Sequence, residues 1–402
     1  MSDATKGATS DPAATPIPLS VPVLSGLEAE YTREALESGW VSTGGPFITR
    51  LEDAVREVTG ARNAVACVNG TAALQVALRL AGVRAGDEVI VPTLTFIATV
   101  NAVDYLGAHP VFVDCDEFMN IDPGAVASFL AEECAMDGDA VVDRETRRRV
   151  AAIVPVHVFG NPCDLAPLLD TATRYGLPVI EDAAESLGSS WTEGPLAGRH
   201  TGTRGLFGAL SFNANKIVTT GGGGMILTED DRLAEHARYL TTTAKDDAMR
   251  FVHNEVGYNF RITNLNAAVG VAQMETLAAR IEAKKRNYQL YEAVLAGVRG
   301  VQLLGVPERT SPNYWFYSLL VEPTEYGRDR ESLMLALDAE GIQTRPVWHL
   351  NHWQRPYQGE RAYRIERAVW FWERVLNLPC TSNLTESDVS RVADAIRRFG
   401  GA

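Results

Sequence analysis

The 402-residue chain reads as an α/β protein: a large domain with a mostly parallel sheet, then a smaller C-terminal α+β domain. Three observations point that way. From about residue 60 to 230, short β-branched runs alternate with helical patterns, the rhythm of layered α/β units. Several of those runs are apolar throughout instead of alternating, as in strands covered by helices on both faces. Beyond about residue 265 the rhythm gives way to a long helical pattern and a mixed region.

Taken in order, residues 1–18 are rich in Ala, Thr, Ser, Asp and Pro and read as a flexible N-terminal arm. They have neither a basic start nor an apolar stretch, so no targeting signal is expected there. The large domain is expected over 19–265. Its candidate strands are 63–68, 88–91, 110–114, 150–156, 177–181, 208–213 and 223–228. Between the first two, Ala72 to Leu80 places apolar residues at i, i+3 and i+4, which predicts a helix opening at Gly70-Thr71. A linking helix is expected from Asn266 past Tyr291. The smaller domain, over 266–402, has a strand near 315–321 and an amphipathic helix near 386–398. The charged run Asp143 to Arg149 reads as a solvated surface.

Composition removes whole classes of function. A net charge of −14 argues against a nucleic-acid binder, which needs clustered Lys and Arg. No apolar run reaches the roughly 18 residues of a membrane span. Five scattered cysteines without a C-x-x-C pair suggest reduced thiols and a cytoplasmic protein, and give no metal site.

The chemistry gathers around Lys216. It lies in Ser211-Phe212-Asn213-Ala214-Asn215-Lys216, precedes four glycines at 221–224, and follows Asp182 by 34 positions (216 minus 182). An amine, a carboxylate at a strand end and backbone suited to phosphate are what pyridoxal phosphate requires. The lysine can form a Schiff base with the cofactor aldehyde, and the carboxylate can keep the pyridine nitrogen protonated. Each element also has an ordinary reading. Asn69-Gly70-Thr71 alone is a common helix cap. Asp182 can cap the segment that follows it, Phe96 can be core, and the glycines can be a turn; no Gly-Lys-Ser/Thr follows them, so they are not a P-loop.

Together, Gly70 to Leu74, Pro92 to Phe96, Glu181-Asp182-Ala183-Ala184, Ser211-Phe212 with Lys216 and the glycines, and Gly257-Tyr258-Asn259 resemble the DegT/DnrJ/EryC1/StrS family of sugar-nucleotide aminotransferases. The resemblance covers nearly the whole chain. It implies the aspartate-aminotransferase fold type I, with a mostly parallel seven-stranded sheet, and pyridoxal 5'-phosphate as cofactor. By the same resemblance Lys216 holds the cofactor aldehyde, Asp182 partners its ring nitrogen and Phe96 stacks on the ring. Gly70, Thr71 and Ser211 hold the phosphate, and Asn259 reaches the phosphate of a neighbouring subunit, which implies a homodimer with shared active sites. Glu185 stands where many members have Gln contacting the ring hydroxyl, and Gly222 where many have Glu.

The implied reaction takes an amino group from L-glutamate to a keto sugar nucleotide. The segments Trp40 to Gly44, Phe118 to Asp122 and Gly160 to Leu165 are most similar to the branch that aminates 4-keto-6-deoxy sugar nucleotides on routes to bacillosamine and legionaminic acid. His157, Asn213, Trp348 and His349 are candidates to line the sugar-nucleotide cleft. Amination at C3 is an alternative. A dehydratase on this scaffold would carry His in place of Lys216, and a non-catalytic binding protein would not need to keep Lys216 and Asp182.

Overall fold

The computed structural model describes residues 15–247 and 249–400. All seven candidate strands are present: β1 (Asn63–Cys67), β2 (Glu88–Pro92), β3 (His109–Val113), β4 (Arg149–Ile153), β5 (Ile180–Asp182), β6 (Phe207–Ser211) and β7 (Gly224–Thr228). β3, β2 and β4 pair in parallel, as do β5 and β6. Parallel bridges Ile153–Val179 and Val156–Asp182 join the two halves. β7 runs antiparallel between β1 and β6, so the order is β1-β7-β6-β5-β4-β2-β3.

The uninterrupted apolar strands have the cause expected of them. Along β7, Ile226 faces one core with Val65, Leu74 and Val91, while Met225 and Leu227 face another with Phe47, Ile48 and Leu51. Period-two alternation therefore gives each strand two buried faces. Helix α1 (Gly70–Leu80) covers the first face with Ala73, Leu74, Val76 and Ala77. Because β1 is two antiparallel steps from β6, their carboxyl ends emerge on one side, together with those of β2 and β5. Such an edge is where open α/β sheets hold ligands.

The smaller domain is built on an antiparallel sheet of β8 (Val301–Leu303), β9 (Tyr317–Val321), β10 (Arg345–Pro346) and β11 (Val375–Leu378), ordered β8-β9-β11-β10. The expected single linking helix is two, α2 (Asn264–Glu275) and α3 (Leu277–Leu295), broken at Thr276 where φ and ψ are −110° and 4°. The terminal helix α4 spans Glu386–Phe399 and opens with a Thr385–Asp388 capping box.

Two expectations are corrected. Residues 1–14 of the expected flexible arm lie outside the described residues, but 15–18 are not loose. Ile17 is buried and exchanges backbone hydrogen bonds with Gly341 and Gln343, so this stretch is an added edge of the smaller domain. Next, the run Asp143 to Arg149 is solvated at Arg144, Glu145, Arg147 and Arg149, as expected, but not at its first residue. Asp143 is fully buried because the Arg361 Nε–H reaches it at 3.1 Å from 218 residues away, and Arg149 pairs with Asp87 at 2.6 Å. One further pairing links the two parts of the chain: Ala362 and Tyr363 run parallel to β3.

Near that cluster both carboxylate oxygens of buried Glu88 lack a hydrogen bond, and the Arg148 guanidinium stands 3.9 Å off, beyond hydrogen-bond reach. Burial pushes the Glu88 carboxyl up to about 7. A carboxyl raised on folding favours the native state while protonated, and that contribution is lost as pH rises from its ordinary value through about 7. Glu88→Gln is therefore expected to stabilise the protein at pH 8 by about 2–3 kcal/mol, with the gain vanishing near pH 4.5. Urea denaturation at the two pH values checks this.

Candidate active site

The edge formed by these strand ends is organised first by backbone. β1 runs into α1 through Asn69, whose side chain accepts the Ala72 N–H at 2.7 Å and caps the helix. Capping leaves the Gly70 and Thr71 amides at the positive end of the helix, pointing into the space above the sheet. A Cβ at Gly70 would come within 2.9 Å of Ser211 Cβ, so only glycine lets α1 start this close to the end of β6. Gly224 serves the same approach from β7, where a Cβ would collide with the Asn69 backbone. The helix start and the Ser211 hydroxyl thus form one cradle of donors.

Asp182 closes β5 and is 4% exposed. Its Oδ2 accepts the Thr99 hydroxyl at 2.7 Å, and its Oδ1 the Ala184 N–H at 3.0 Å. Burial pushes its carboxyl above the usual range, and the Thr99 and Ala184 bonds and the nearby Lys216 charge pull it back. Lys216 Nζ lies 3.2 Å from Glu185 Oε1, while Glu185 Oε2 accepts the Phe159 N–H at 2.8 Å. Burial likewise raises Glu185, and the lysine beside it opposes the rise. The one ammonium beside these two buried carboxyls is Lys216; Arg345, also on the cavity wall, pairs with neither of them among the described residues.

These groups share a cavity of about 780 Å³, also lined by Phe96, Asn213, Trp315, Arg345, Trp348 and His349. Phe96 is 52% exposed there, poised above the sheet with Trp348 at 6.4 Å between ring centroids. Another cleft, about 520 Å³, gathers Asp116, Glu193 and Arg309 without a lysine in its wall, so the chemistry belongs to the first.

Of the residues singled out from sequence, Gly70, Thr71, Phe96, Asp182, Glu185, Ser211, Lys216, Asn213, Trp348 and His349 meet around this cavity. His157 does not, which corrects its placement on the cleft wall. It is fully buried, its Nε2 bonded to Glu181 at 2.9 Å and its Nδ1 accepting the Cys163 N–H at 3.0 Å. Both ring nitrogens are spent inside the fold. Asn259 is also outside the cavity of its own chain, exposed on the segment before α2 and bridged to Thr242. Sequence reasoning did not find Thr99, Arg345 or Trp315. Thr99 sits in a helix of unremarkable pattern, and the other two arrive from the smaller domain.

The cavity fits pyridoxal phosphate. The Gly70–Thr71 amides and Ser211 suit the phosphate, Phe96 suits a flat ring, and a protonated ring nitrogen beside Asp182 would give that carboxylate a positive partner. Among the described residues no group of three or more His, Cys, Asp or Glu side chains is placed to hold a metal ion. No helix among them is long and apolar enough to cross a membrane.

Comparison with known proteins agrees with this geometry. The model of the DegT/DnrJ/EryC1/StrS aminotransferase family matches residues 23–397. The chain is 38% identical over 383 residues to the GDP-perosamine synthase of Caulobacter vibrioides, covering 94% of this chain and 97% of that protein. It is 34% identical to the GDP-perosamine synthase of Escherichia coli O157:H7, covering 95% and 98%. Among solved structures, DesI in the presence of its TDP-sugar product superposes with a TM-score of 0.85 at 31% identity, covering 96% of this chain and 94% of that one.

Proposed function

The chain belongs to the DegT/DnrJ/EryC1/StrS aminotransferase family, and from that premise we propose that it carries the amino group of L-glutamate to the C4 ketone of an NDP-4-keto-6-deoxyhexose. It is a pyridoxal phosphate-dependent sugar-nucleotide aminotransferase of fold type I. One observation carries the reading of amino transfer at this site. The Lys216 amine, bracketed by Glu185, opens into a cavity of about 780 Å³ that also holds Asp182 and the start of α1, which leaves room for a substrate beside a cofactor.

When bound, the cofactor supplies an electron sink for the bond that breaks at the amino-bearing carbon. Gly70, Thr71 and Ser211 would hold its phosphate, Asp182 would keep its ring nitrogen charged, Phe96 would offer a flat face to its ring and Glu185 would take its ring hydroxyl. Lys216 Nζ would take the proton from the α-carbon of the donor and deliver it to the carbon on the far side of the amino nitrogen, two bonds away. With the keto sugar nucleotide the same amine moves a proton in the opposite sense. Asn213, Trp348 and His349 line the cleft on the sugar side. Phe159, Trp315 and Trp348 give the cavity an aromatic wall.

Amination at C4 is favoured by the Trp40 to Gly44, Phe118 to Asp122 and Gly160 to Leu165 segments. Asn259 is exposed, and Phe251 and Val256 earlier in the same segment are exposed apolar side chains, which supports a homodimer in which Asn259 reaches the partner's cofactor phosphate. All five cysteines are buried free thiols, which suits a cytoplasmic enzyme. The relatives' names pair this scaffold with both GDP- and TDP-sugars, so the test runs over both nucleotides. Purified enzyme is given L-glutamate and each 4-keto-6-deoxy sugar nucleotide, and the product is read by NMR. One 2-oxoglutarate per new C4 amine is expected; an amine at C3, or no 2-oxoglutarate with any acceptor, contradicts the reading.

A further inference from the structure

We propose that Trp315 is the positioning residue for the reacting amine: its indole face holds the Lys216 ammonium, and its ring N–H holds the loop that carries Lys216. The proposal rests on the reading of Lys216 as the group that moves the proton. Lys216 Nζ lies 3.8 Å from the centroid of the Trp315 ring, well inside the distance at which an aromatic face attracts a cation. The ring is 3% exposed, so little water competes for that charge. Its Nε1–H donates to the Asn215 carbonyl at 2.8 Å, one residue before the lysine. A single side chain therefore fixes both ends of a long, unbranched amine that would otherwise sample many rotamers.

The ring is itself held from several sides. The Trp315 backbone N–H donates to the Asn313 side-chain oxygen at 3.0 Å, and the Asn313 amide donates to the Glu185 and Leu187 carbonyls at 2.8 and 2.9 Å. The buried Lys284 ammonium donates to the Trp315 carbonyl at 3.0 Å. Phe316 packs on the ring at 4.2 Å between centroids, and Phe159 at 6.2 Å. Asn313 thus ties Trp315 to the backbone of Glu185, the same residue whose carboxylate meets Lys216. The amine stands between a carboxylate and a π face whose separation is set by one asparagine. A tryptophan serving only to fill the core would have no reason to turn its face to a cation at the cavity floor.

Two measurements test this. In cofactor-free protein, reductive methylation of Lys216 is followed by peptide mass spectrometry. Trp315→Met, which removes the π face and the N–H, is expected to speed labelling about tenfold, and Trp315→Phe, which keeps a face, about threefold. In enzyme loaded with pyridoxal phosphate, single-turnover loss of the visible band is timed with L-glutamate and its α-deuterated form. Trp315→Met is expected to slow this step about tenfold with a larger isotope effect, leaving KM for glutamate unchanged, and Trp315→Phe is expected to recover most of the rate.

Equal labelling rates for wild type, Phe and Met variants would overturn the proposal, and so would equal slowing by Phe and Met. Should Trp315→Met fail to fold by circular dichroism, biosynthetic ring fluorination of the tryptophans weakens the π face with little change of shape. Labelling that rises with fluorine count then supports the proposal, and a flat series overturns it. Failure of wild-type enzyme to lose the visible band with any amino donor would instead count against Lys216 as the proton carrier, while the labelling result would still decide the indole contact.

Discussion

Lys216→Ala is expected to lower turnover by about 10⁴-fold in both half-reactions, because one amine both holds the cofactor and moves the proton. The alanine also strips buried Glu185 of the cation 3.2 Å away, so a loss of stability would confuse the result. Lys216→Arg separates the two effects. It restores a positive charge near Glu185 but offers no amine that can bond the cofactor and exchange a proton at neutral pH. Release of 2-oxoglutarate, measured beside the melting temperature, should therefore show Arg as folded and as inactive as Ala. Turnover within tenfold of wild type in either variant would remove Lys216 from the reaction.

Asp182→Asn is expected to cost about 10²–10³-fold, again in both half-reactions, since the charge on the ring nitrogen serves each equally. A residue that only bound the sugar would affect one half. Asparagine nearly keeps the shape of the carboxylate, but with its oxygen on the Ala184 N–H its NH2 faces the Thr99 hydroxyl, which must then accept where it donated to Asp182. Cofactor affinity should fall alongside rate, which equilibrium dialysis of pyridoxal phosphate measures. The raised carboxyl adds a pH signature with a definite sign. As pH drops toward the elevated value of Asp182, protonation removes the same charge, so wild-type cofactor binding should weaken in acid and come to resemble the asparagine variant.

Much of the fold was legible because the central strands are apolar on both faces, the pattern of a sheet layered between helices. Short, half-exposed strands carry no such signal. The hairpin of Cys134–Asp137 with Ala140–Asp143 went unread for that reason, and Asp143 looked solvated because its partner Arg361 lies far downstream. The break at Thr276 was hidden by helix formers on both sides. In the site, Lys216, Asp182 and Gly70 could be found because strand ends and a helix start mark where ligands gather. Thr99, Asn313 and Trp315 could not, since each acts only through a contact that folding creates. His157 shows the converse error: the family resemblance suggested the cleft, yet its neighbours Glu181 and Cys163 claim both nitrogens.

The most direct test is the absorption spectrum of the purified protein loaded with pyridoxal phosphate, recorded before and after adding L-glutamate. The visible band of lysine-bound cofactor should be present, should disappear with glutamate as one equivalent of 2-oxoglutarate forms, and should be absent in Lys216→Ala at the same cofactor concentration. A protein that shows no visible band after reconstitution, or keeps it unchanged with every amino donor, would contradict the assignment of Lys216 and its cavity to amino transfer.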